Sequence, residues 1–132
     1  IEALLDIKNQ TKIIGVSLLT SLDNEDLKNM GINLKSNEFV EHLVKIGVNA
    51  GIDGIVSSAQ EVDNLKKKFN DLIFVTPGIR LSSDKTDDQK RTKSPRSAIA
   101  SGSDLLVIGR PITKSKNPVS SINEIINNIE NG

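Results

Sequence analysis

The chain has 132 residues, and its 17 lysine and arginine side chains are balanced by 17 aspartate and glutamate side chains. This balance leaves no basic excess for binding nucleic acid or an anionic membrane, and no apolar run is long enough to cross a bilayer. The absence of cysteine excludes disulfides and thiolate metal sites, and His42 is the single histidine. We therefore expect a cytoplasmic protein with no metal and no nucleic-acid or membrane partner.

Four short apolar runs predict buried strands. The runs are almost continuously apolar and rich in β-branched residues, which is typical of parallel strands covered on both faces. Each run is followed by a segment with helical periodicity, as in a series of strand–helix units. We predict the strands at residues 13–19, 54–57, 73–76 and 105–108.

Capping residues predict where the intervening helices begin. Ser58 is followed by Glu61 at capping-box spacing, and Gly102 is placed to end the third helix. The four predicted starts are Ser36, Ser58, Ser94 and Asn117. Helical spacing predicts a buried face of Phe39, Leu43, Ile46 and Ala50 in the first helix, and of Ile122, Ile125, Ile126 and Ile129 in the last.

This alternation predicts an α/β domain with a parallel sheet and right-handed crossovers. Residues 81–93 form one long polar loop, and no linker or change of composition divides the chain. Two architectures fit four strand–helix units. One is a small, open, doubly wound sheet, and the other is half of a (β/α)₈ barrel, which usually has roughly 250 residues.

In both architectures, ligands bind at the carboxyl ends of the strands. Gly78 and Gly109 stand at two of these ends, where the lack of a side chain lets a backbone amide approach an anion closely. Arg80 and Arg110 follow them, and guanidinium groups suit bidentate phosphate binding. The pattern fits a phosphate site, and it equally fits two ordinary turns flanked by solvated arginines.

Five motifs occur in one order along the chain: LTSLD at 19–23, DGIVSSAQE at 53–61, VTPGIR at 75–80, DQKR at 88–91 and VIGRPIT at 107–113. Together they resemble the bacterial orotidine 5′-phosphate decarboxylase family, and the resemblance covers essentially the whole chain. It implies that residues 1–132 are a single partial domain, the C-terminal half of a TIM barrel. This half would run from the end of helix four through strands five to eight to helix eight, with the N-terminal half absent.

The resemblance implies decarboxylation of orotidine 5′-phosphate to uridine 5′-phosphate in de novo pyrimidine synthesis, without a cofactor. By the same resemblance, Thr20 lies at the pyrimidine ring, Pro77 lines the ring pocket, and Arg80 binds the ligand at the start of the long loop. The complete enzyme is expected to be a homodimer.

The resemblance also implies the phosphate contacts. Gln89 matches the loop glutamine that closes over the ligand and its phosphate. Arg110 matches the phosphate-binding arginine, and Gly109 places a backbone amide beside it.

No catalytic residue is assigned to this chain, because the Asp-x-Lys-x-x-Asp signature of the family has no match in it. The segment from Asp6 imitates the spacing but ends in Thr11, and the charged residues 84–88 are expected to face solvent in the long loop. The lysine and aspartates of the family are expected in the missing half. We therefore expect the chain alone to be inactive.

Two other functions remain open at this level. One is a different phosphate-binding TIM-barrel enzyme of the sugar-phosphate epimerase or synthase type, which has no reason to share the motifs at 19–23 and 88–91. The other is a non-enzymatic flavodoxin-like binding domain, which requires a reversal of strand order.

Overall fold

The computed structural model describes residue 3, residues 9–81 and residues 93–131. The strands are β1 (Ile14–Val16), β2 (Gly54–Val56), β3 (Ile73–Thr76) and β4 (Leu105–Leu106). The helices with described boundaries are α1 (Asn24–Asn29), α2 (Ser36–Asn49), α3 (Ala59–Lys68), α4 (Pro95–Ala100), α5 (Arg110–Thr113) and α6 (Pro118–Asn131). None of these helices is long and apolar enough to cross a membrane.

The four strands are parallel and lie side by side in sequence order, β1-β2-β3-β4. The predicted strands are therefore confirmed, although β1 and β4 are shorter than the runs at 13–19 and 105–108. A flavodoxin-like sheet needs strand order to reverse. Sequential order within the four strands is instead the arrangement of neighbouring strands in a (β/α)₈ barrel.

The two faces of the sheet have different surroundings. Ile55 and Phe74 are register partners, and both are buried against the helices. The neighbouring register row shows the opposite face and consists of Val16, Val56, Val75 and Leu105. Its two outer members are 61% and 57% exposed. In the described part of the chain, helices thus cover one face of the sheet and leave apolar side chains on the other accessible.

The main core lies between the sheet and the first three helices. It contains Leu18, Leu27, Val40, Val44, Ile52, Ile55, Val62, Leu65, Leu72 and Phe74. A smaller cluster of Ala59, Ile79 and Ala98 lies further along the sheet, with Leu106 and Ile108 packed against it. This core holds the carboxyl ends of β1, β2 and β3 in fixed relative positions.

The predicted buried face of α2 is confirmed in part, since Phe39 packs against the core, but it is wrong at Ile46. Ile46 is 50% exposed, and the buried residues are Val40, Val44 and Gly47. A Cβ added at Gly47 would lie 2.5 Å from Ile52 Cδ1, so the glycine permits close packing there. The N-cap is also shifted from Ser36 to Lys35, because the Glu38 carboxylate accepts a hydrogen bond from the Lys35 backbone N–H at 3.0 Å.

The isoleucine stripe of α6 is only partly buried. Ile125 is buried, whereas Ile122 and Ile126 are 40% and 43% exposed. The described contacts of α6 are mainly with α4 and α5, and within the described residues they leave Ile122 and Ile126 partly accessible while Ile129 is half-buried.

Two aspartates tie the strands together at their amino ends in the same way. Each follows a Gly-X pair, and the glycines, Gly51 and Gly102, have positive φ values of 79° and 100°. Asp53 Oδ2 accepts a hydrogen bond from the Ile13 backbone N–H at 2.7 Å, next to β1. Asp104 Oδ2 accepts one from the Phe74 N–H at 2.8 Å, inside β3. The motif helix–Gly-X-Asp–strand therefore occurs twice. It fixes the register of β2 against β1 and of β4 against β3.

Lys66 of α3 strengthens the contact between Asp104 and β3. Its ammonium lies 3.0 Å from Asp104 Oδ2, donates to the Leu72 carbonyl at 3.3 Å and lies 5.2 Å from the centre of the Phe74 ring. Partial burial raises the pKa of Asp104, but the Phe74 N–H and Lys66 outweigh this effect and hold that pKa below its usual value.

The exposed surfaces of α2 and α3 are joined by ion pairs. Glu41 accepts from Lys45 at 2.8 Å on its own helix and from Lys68 at 2.6 Å on α3. Hydrogen bonds from these two ammonium groups lower the pKa of Glu41 to about 2. The carboxylate is therefore ionised throughout the physiological pH range.

Candidate functional site

The carboxyl ends of all four strands lie along one edge of the sheet, because the strands are parallel and ordered by sequence. Ser17 extends the pairing of β1 and β2: its backbone N–H and its hydroxyl both donate to the Val56 carbonyl, at 3.1 and 2.8 Å. A turn follows, in which the Leu22 N–H donates to the Leu19 carbonyl at 3.0 Å. These bonds fix the position of Thr20 between them.

A cavity of about 260 Å³ opens at this edge between β1, β2 and β3. Thr20 and Pro77, which were assigned to the ring pocket from sequence, both line it. Thr20 is buried and Pro77 is half-buried. The other lining residues are Val16, Leu18, Leu19, Ser21, Val56 and Ser57. Apolar walls with a few hydroxyl groups suit a flat ring with polar edges.

The end of β3 leads directly into the long loop. Gly78 has a φ of 76°, a conformation that favours glycine, and Ile79 beyond it is fully buried. The Arg80 N–H donates to the Lys93 carbonyl at 3.1 Å, and the Lys93 N–H donates to the Gly78 carbonyl at 3.4 Å. The two ends of the loop are therefore joined. Gln89, in between, lies outside the described residues, as do Asp6 and residues 84–88.

Arg80 and Arg110 follow neighbouring strands, β3 and β4, but neither lines the cavity that contains Thr20 and Pro77. Arg80 is half-buried, and its guanidinium donates to the Ile79 carbonyl at 2.7 Å. Arg110 is half-buried at the first position of α5. The structure thus places the ring-pocket pair together and the two arginines next to it along the same edge.

Gly109 immediately precedes α5 and has an exposed backbone. A Cβ added there would meet nothing within 4 Å. The glycine is not demanded by local packing, and its absent side chain leaves the backbone beside Arg110 open to a ligand.

Sequence reasoning assigned Ser58 and Glu61 to a helix cap only, and the structure shows more. The Glu61 side chain is buried, and three donors surround its carboxylate: the Ser57 hydroxyl at 3.2 Å, the Ser58 backbone N–H at 3.1 Å and the Ser58 hydroxyl. Ser57 also lines the cavity. The Ser-x-x-Glu spacing was the available signal, but it does not reveal burial.

A model of the orotidine 5′-phosphate decarboxylase / HUMPS family matches residues 1–125. The chain belongs to this family. Among curated members, orotidine 5′-phosphate decarboxylase of Coxiella burnetii is 46% identical over 127 residues, which are 96% of this chain and 54% of that protein. The enzyme of the same name from Hydrogenovibrio crunogenus is 46% identical over 125 residues, covering 94% of this chain and 53% of that protein.

Solved structures of the family agree with the fold. The crystal structure of orotidine 5′-phosphate decarboxylase from Lactobacillus acidophilus superposes with a TM-score of 0.73 at 31% identity and covers 90% of this chain and 49% of that one. The Sulfolobus solfataricus structure, at 20% identity and a TM-score of 0.68, supports the fold alone. This chain therefore spans about half the length of the family members that it matches.

Proposed function

We propose that this chain is the ring- and phosphate-binding part of an orotidine 5′-phosphate decarboxylase, formed by strands five to eight of the barrel. The observation that carries the proposal is the cavity at the carboxyl ends of β1, β2 and β3, where Thr20 and Pro77 meet. In barrels of this class, the active site lies at this end of the strands. Family membership supplies the reaction and the substrate.

The proposed ligand spans two neighbouring places on the sheet edge. The pyrimidine ring occupies the cavity beside Thr20 and Pro77, between the first three strands. The phosphate binds at the ends of β3 and β4, where Arg80, the Gly109 amide and Arg110 supply positive charge and an N–H donor. Gln89 closes over the phosphate from the long loop. A phosphate site after the last two strands is a recurring feature of barrels.

The uncovered face of the sheet supports the half-barrel assignment. Its apolar row of Val16, Val56, Val75 and Leu105 is what the interior of a closed barrel presents, where inward side chains fill the core. About half the length of the relatives lies outside the matched segment. We infer that the remainder of the barrel covers this face.

The chemistry needs groups from that remainder. Cleavage of the bond between the ring and its carboxylate releases CO₂ and leaves an electron pair on the ring carbon, where a proton must then be added. A nearby ammonium stabilises this charge and supplies the proton, and no cofactor is required. This chain contributes binding energy at a distance from the reacting carbon, which lowers the barrier by fixing the substrate and closing the loop.

The test is a chimera of the Coxiella burnetii enzyme in which this chain replaces the segment that it matches. We expect the chimera to convert orotidine 5′-phosphate to uridine 5′-phosphate without an added cofactor, and to sediment as a homodimer. The parent enzyme is the positive control. A chimera that folds but turns over only a sugar phosphate, or nothing, would contradict the proposed function.

A further inference from the structure

Glu61 is a buried carboxylate at the carboxyl end of β2, and it is 7% exposed. Burial of a carboxylate is costly unless hydrogen bonds replace its water. Three such hydrogen bonds reach one oxygen, since Oε2 accepts from the Ser57 hydroxyl at 3.2 Å, the Ser58 N–H at 3.1 Å and the Ser58 hydroxyl. Both serines are themselves fully buried.

A helix cap alone does not explain this arrangement. The reciprocal bond of a capping box needs only the backbone N–H of the N-cap residue, which is Ser58. The further donor, Ser57, lies before the cap, where the strand has just ended. Its own backbone N–H donates to the Val75 carbonyl of β3 at 3.1 Å. Glu61 thereby links the first turn of α3 to the point where β2 leaves the sheet.

Ser57 is also part of the wall of the cavity, together with Thr20 and Pro77. Movement of Ser57 would change the shape of this cavity on the side of β2, whereas Arg80 and Arg110 follow β3 and β4. We propose that Glu61 is a positioning residue that sets the cavity wall through Ser57 and so controls binding of the nucleoside part of the substrate, but not of its phosphate. This inference rests on the proposed function.

The experiment compares Glu61→Gln, Glu61→Ala and Ser57→Ala in the chimera. The control is Asp63→Asn on the same helix, where the side chain is 56% exposed and forms a surface ion pair with Lys67 at 2.9 Å. We expect kcat/KM for orotidine 5′-phosphate to fall by up to ~100-fold in Glu61→Ala, since small misplacements in a site have effects of this size. Glu61→Gln should lose less, because its amide oxygen still accepts a hydrogen bond.

Inhibition by two parts of the product separates positioning from general damage. Uridine should inhibit the Glu61 and Ser57 variants more weakly than the unmodified chimera, while inhibition by inorganic phosphate stays unchanged. The double variant Ser57→Ala/Glu61→Gln should be no worse than the more severe single variant, because both changes break the same link. These measurements are made well below the unfolding temperature of each variant.

Three outcomes would overturn the inference. Equal weakening of uridine and phosphate inhibition would show that Glu61 only supports the fold, and Glu61 variants that match Asp63→Asn would show that it has no role in the site. In both of these cases, turnover of orotidine 5′-phosphate by the unmodified chimera would still support the proposed function. An unmodified chimera without turnover contradicts the proposed function, and if it also fails to bind uridine, it contradicts this inference as well.

Discussion

Thr20 and Pro77 are far apart in the sequence but line one cavity, and this convergence depends on parallel strands that end at the same edge. Their side chains have different uses. Threonine offers a hydroxyl that both donates and accepts, whereas proline offers a rigid apolar surface. A pocket built from both can hold the face of a ring while recognising its polar edge.

Arg110 provides the most direct test of the proposed phosphate site. In the chimera, Arg110→Ala should cost on the order of 2–5 kcal/mol of transition-state stabilisation, as expected when a charged partner is removed from a bound anion. The loss should be large for orotidine 5′-phosphate and small for the nucleoside without phosphate. The measurement is kcat/KM for both substrates.

Equal losses on the two substrates would mean that Arg110 acts structurally. Gln89→Ala is the matched comparison from the long loop. It should show the same selectivity with a smaller penalty, because a neutral donor contributes less to anion binding than a guanidinium.

Substitution of glycine by alanine is expected to affect stability differently at two positions, Gly54 and Gly47. A Cβ at Gly54 would lie 2.5 Å from the Ile73 carbonyl oxygen, which belongs to the neighbouring strand and cannot move without disturbing the sheet. A Cβ at Gly47 would meet only the end of the Ile52 side chain at 2.5 Å, which can rotate away.

We therefore expect Gly54→Ala to destabilise the chimera by about 3 kcal/mol or more. Gly47→Ala should be close to neutral, because alanine gains up to ~1 kcal/mol of helix propensity over glycine and offsets the repacking of Ile52. Urea unfolding of both variants provides the comparison. Similar losses at the two positions would contradict this explanation.

At the scale of elements, Asp104 makes the contact between β3 and the start of β4 sensitive to pH. Its folded pKa is depressed below 3.8, the ordinary value. The ionised carboxylate therefore stabilises the fold above about pH 3.8, and this contribution is lost as the pH falls through the folded pKa. Asp104→Asn should lower the free energy of unfolding by up to ~1 kcal/mol near pH 6, since the side chain is 43% exposed and solvent screens its charge.

The destabilisation caused by Asp104→Asn should shrink as the pH falls from 3.8 through the lower folded pKa, because the unmodified carboxyl then also becomes neutral. Asp104→Ala should be worse than Asp104→Asn at every pH by about 1 kcal/mol, because alanine removes the acceptor for the buried Phe74 N–H. Urea unfolding from pH 2.5 to 7 measures both effects. Equal effects of asparagine and alanine would show that the hydrogen bond adds nothing.

The strands and the helices α2, α3, α4 and α6 could be predicted because each depends on local patterns: apolar runs for strands, and Ser58, Ser94 and Gly102 for helix ends. The short helices α1 and α5, of six and four residues, were not predicted. The buried face of α2 could not be predicted in full, since Phe39-Leu43-Ile46 and Val40-Val44-Gly47 both have helical spacing. Packing against Ile52 and the sheet buries the second set, leaves Ile46 half exposed and keeps Phe39 at the edge of the core. The burial of Glu61 was likewise hidden, because its spacing from Ser58 is the same in exposed caps.

The site was predictable to the extent that motifs marked the strand ends. Thr20 and Pro77 were assigned by resemblance to the family, and the structure places both on one cavity. The roles of all six residues in ligand binding remain predictions, including those of Thr20 and Pro77, for which the structure shows only a shared cavity. Which half of the barrel the chain forms is also a proposal, since four sequential parallel strands occur equally in either half.

At the scale of the whole molecule, the open face of the sheet determines what the chain can do alone. Without a covering layer, the row that includes Val16 and Leu105 stays in contact with water. We expect the purified chain to have no decarboxylase activity and to bind a hydrophobic dye that the chimera does not bind. Turnover assays and dye fluorescence test this. Turnover by the purified chain would contradict the proposal that this chain binds the substrate while the rest of the barrel supplies the reacting groups.

The sequential strand order also has a consequence for how the protein forms during synthesis. Each strand after β1 pairs with the strand that precedes it along the chain. The strand with which a new strand pairs has therefore already been synthesised. The hydrogen bonds of Asp53 and Asp104 follow the same order, because each aspartate accepts from a residue that lies earlier in the chain. The sheet can therefore grow on the ribosome one unit at a time, and an interrupted chain would still retain the pairings completed before the interruption.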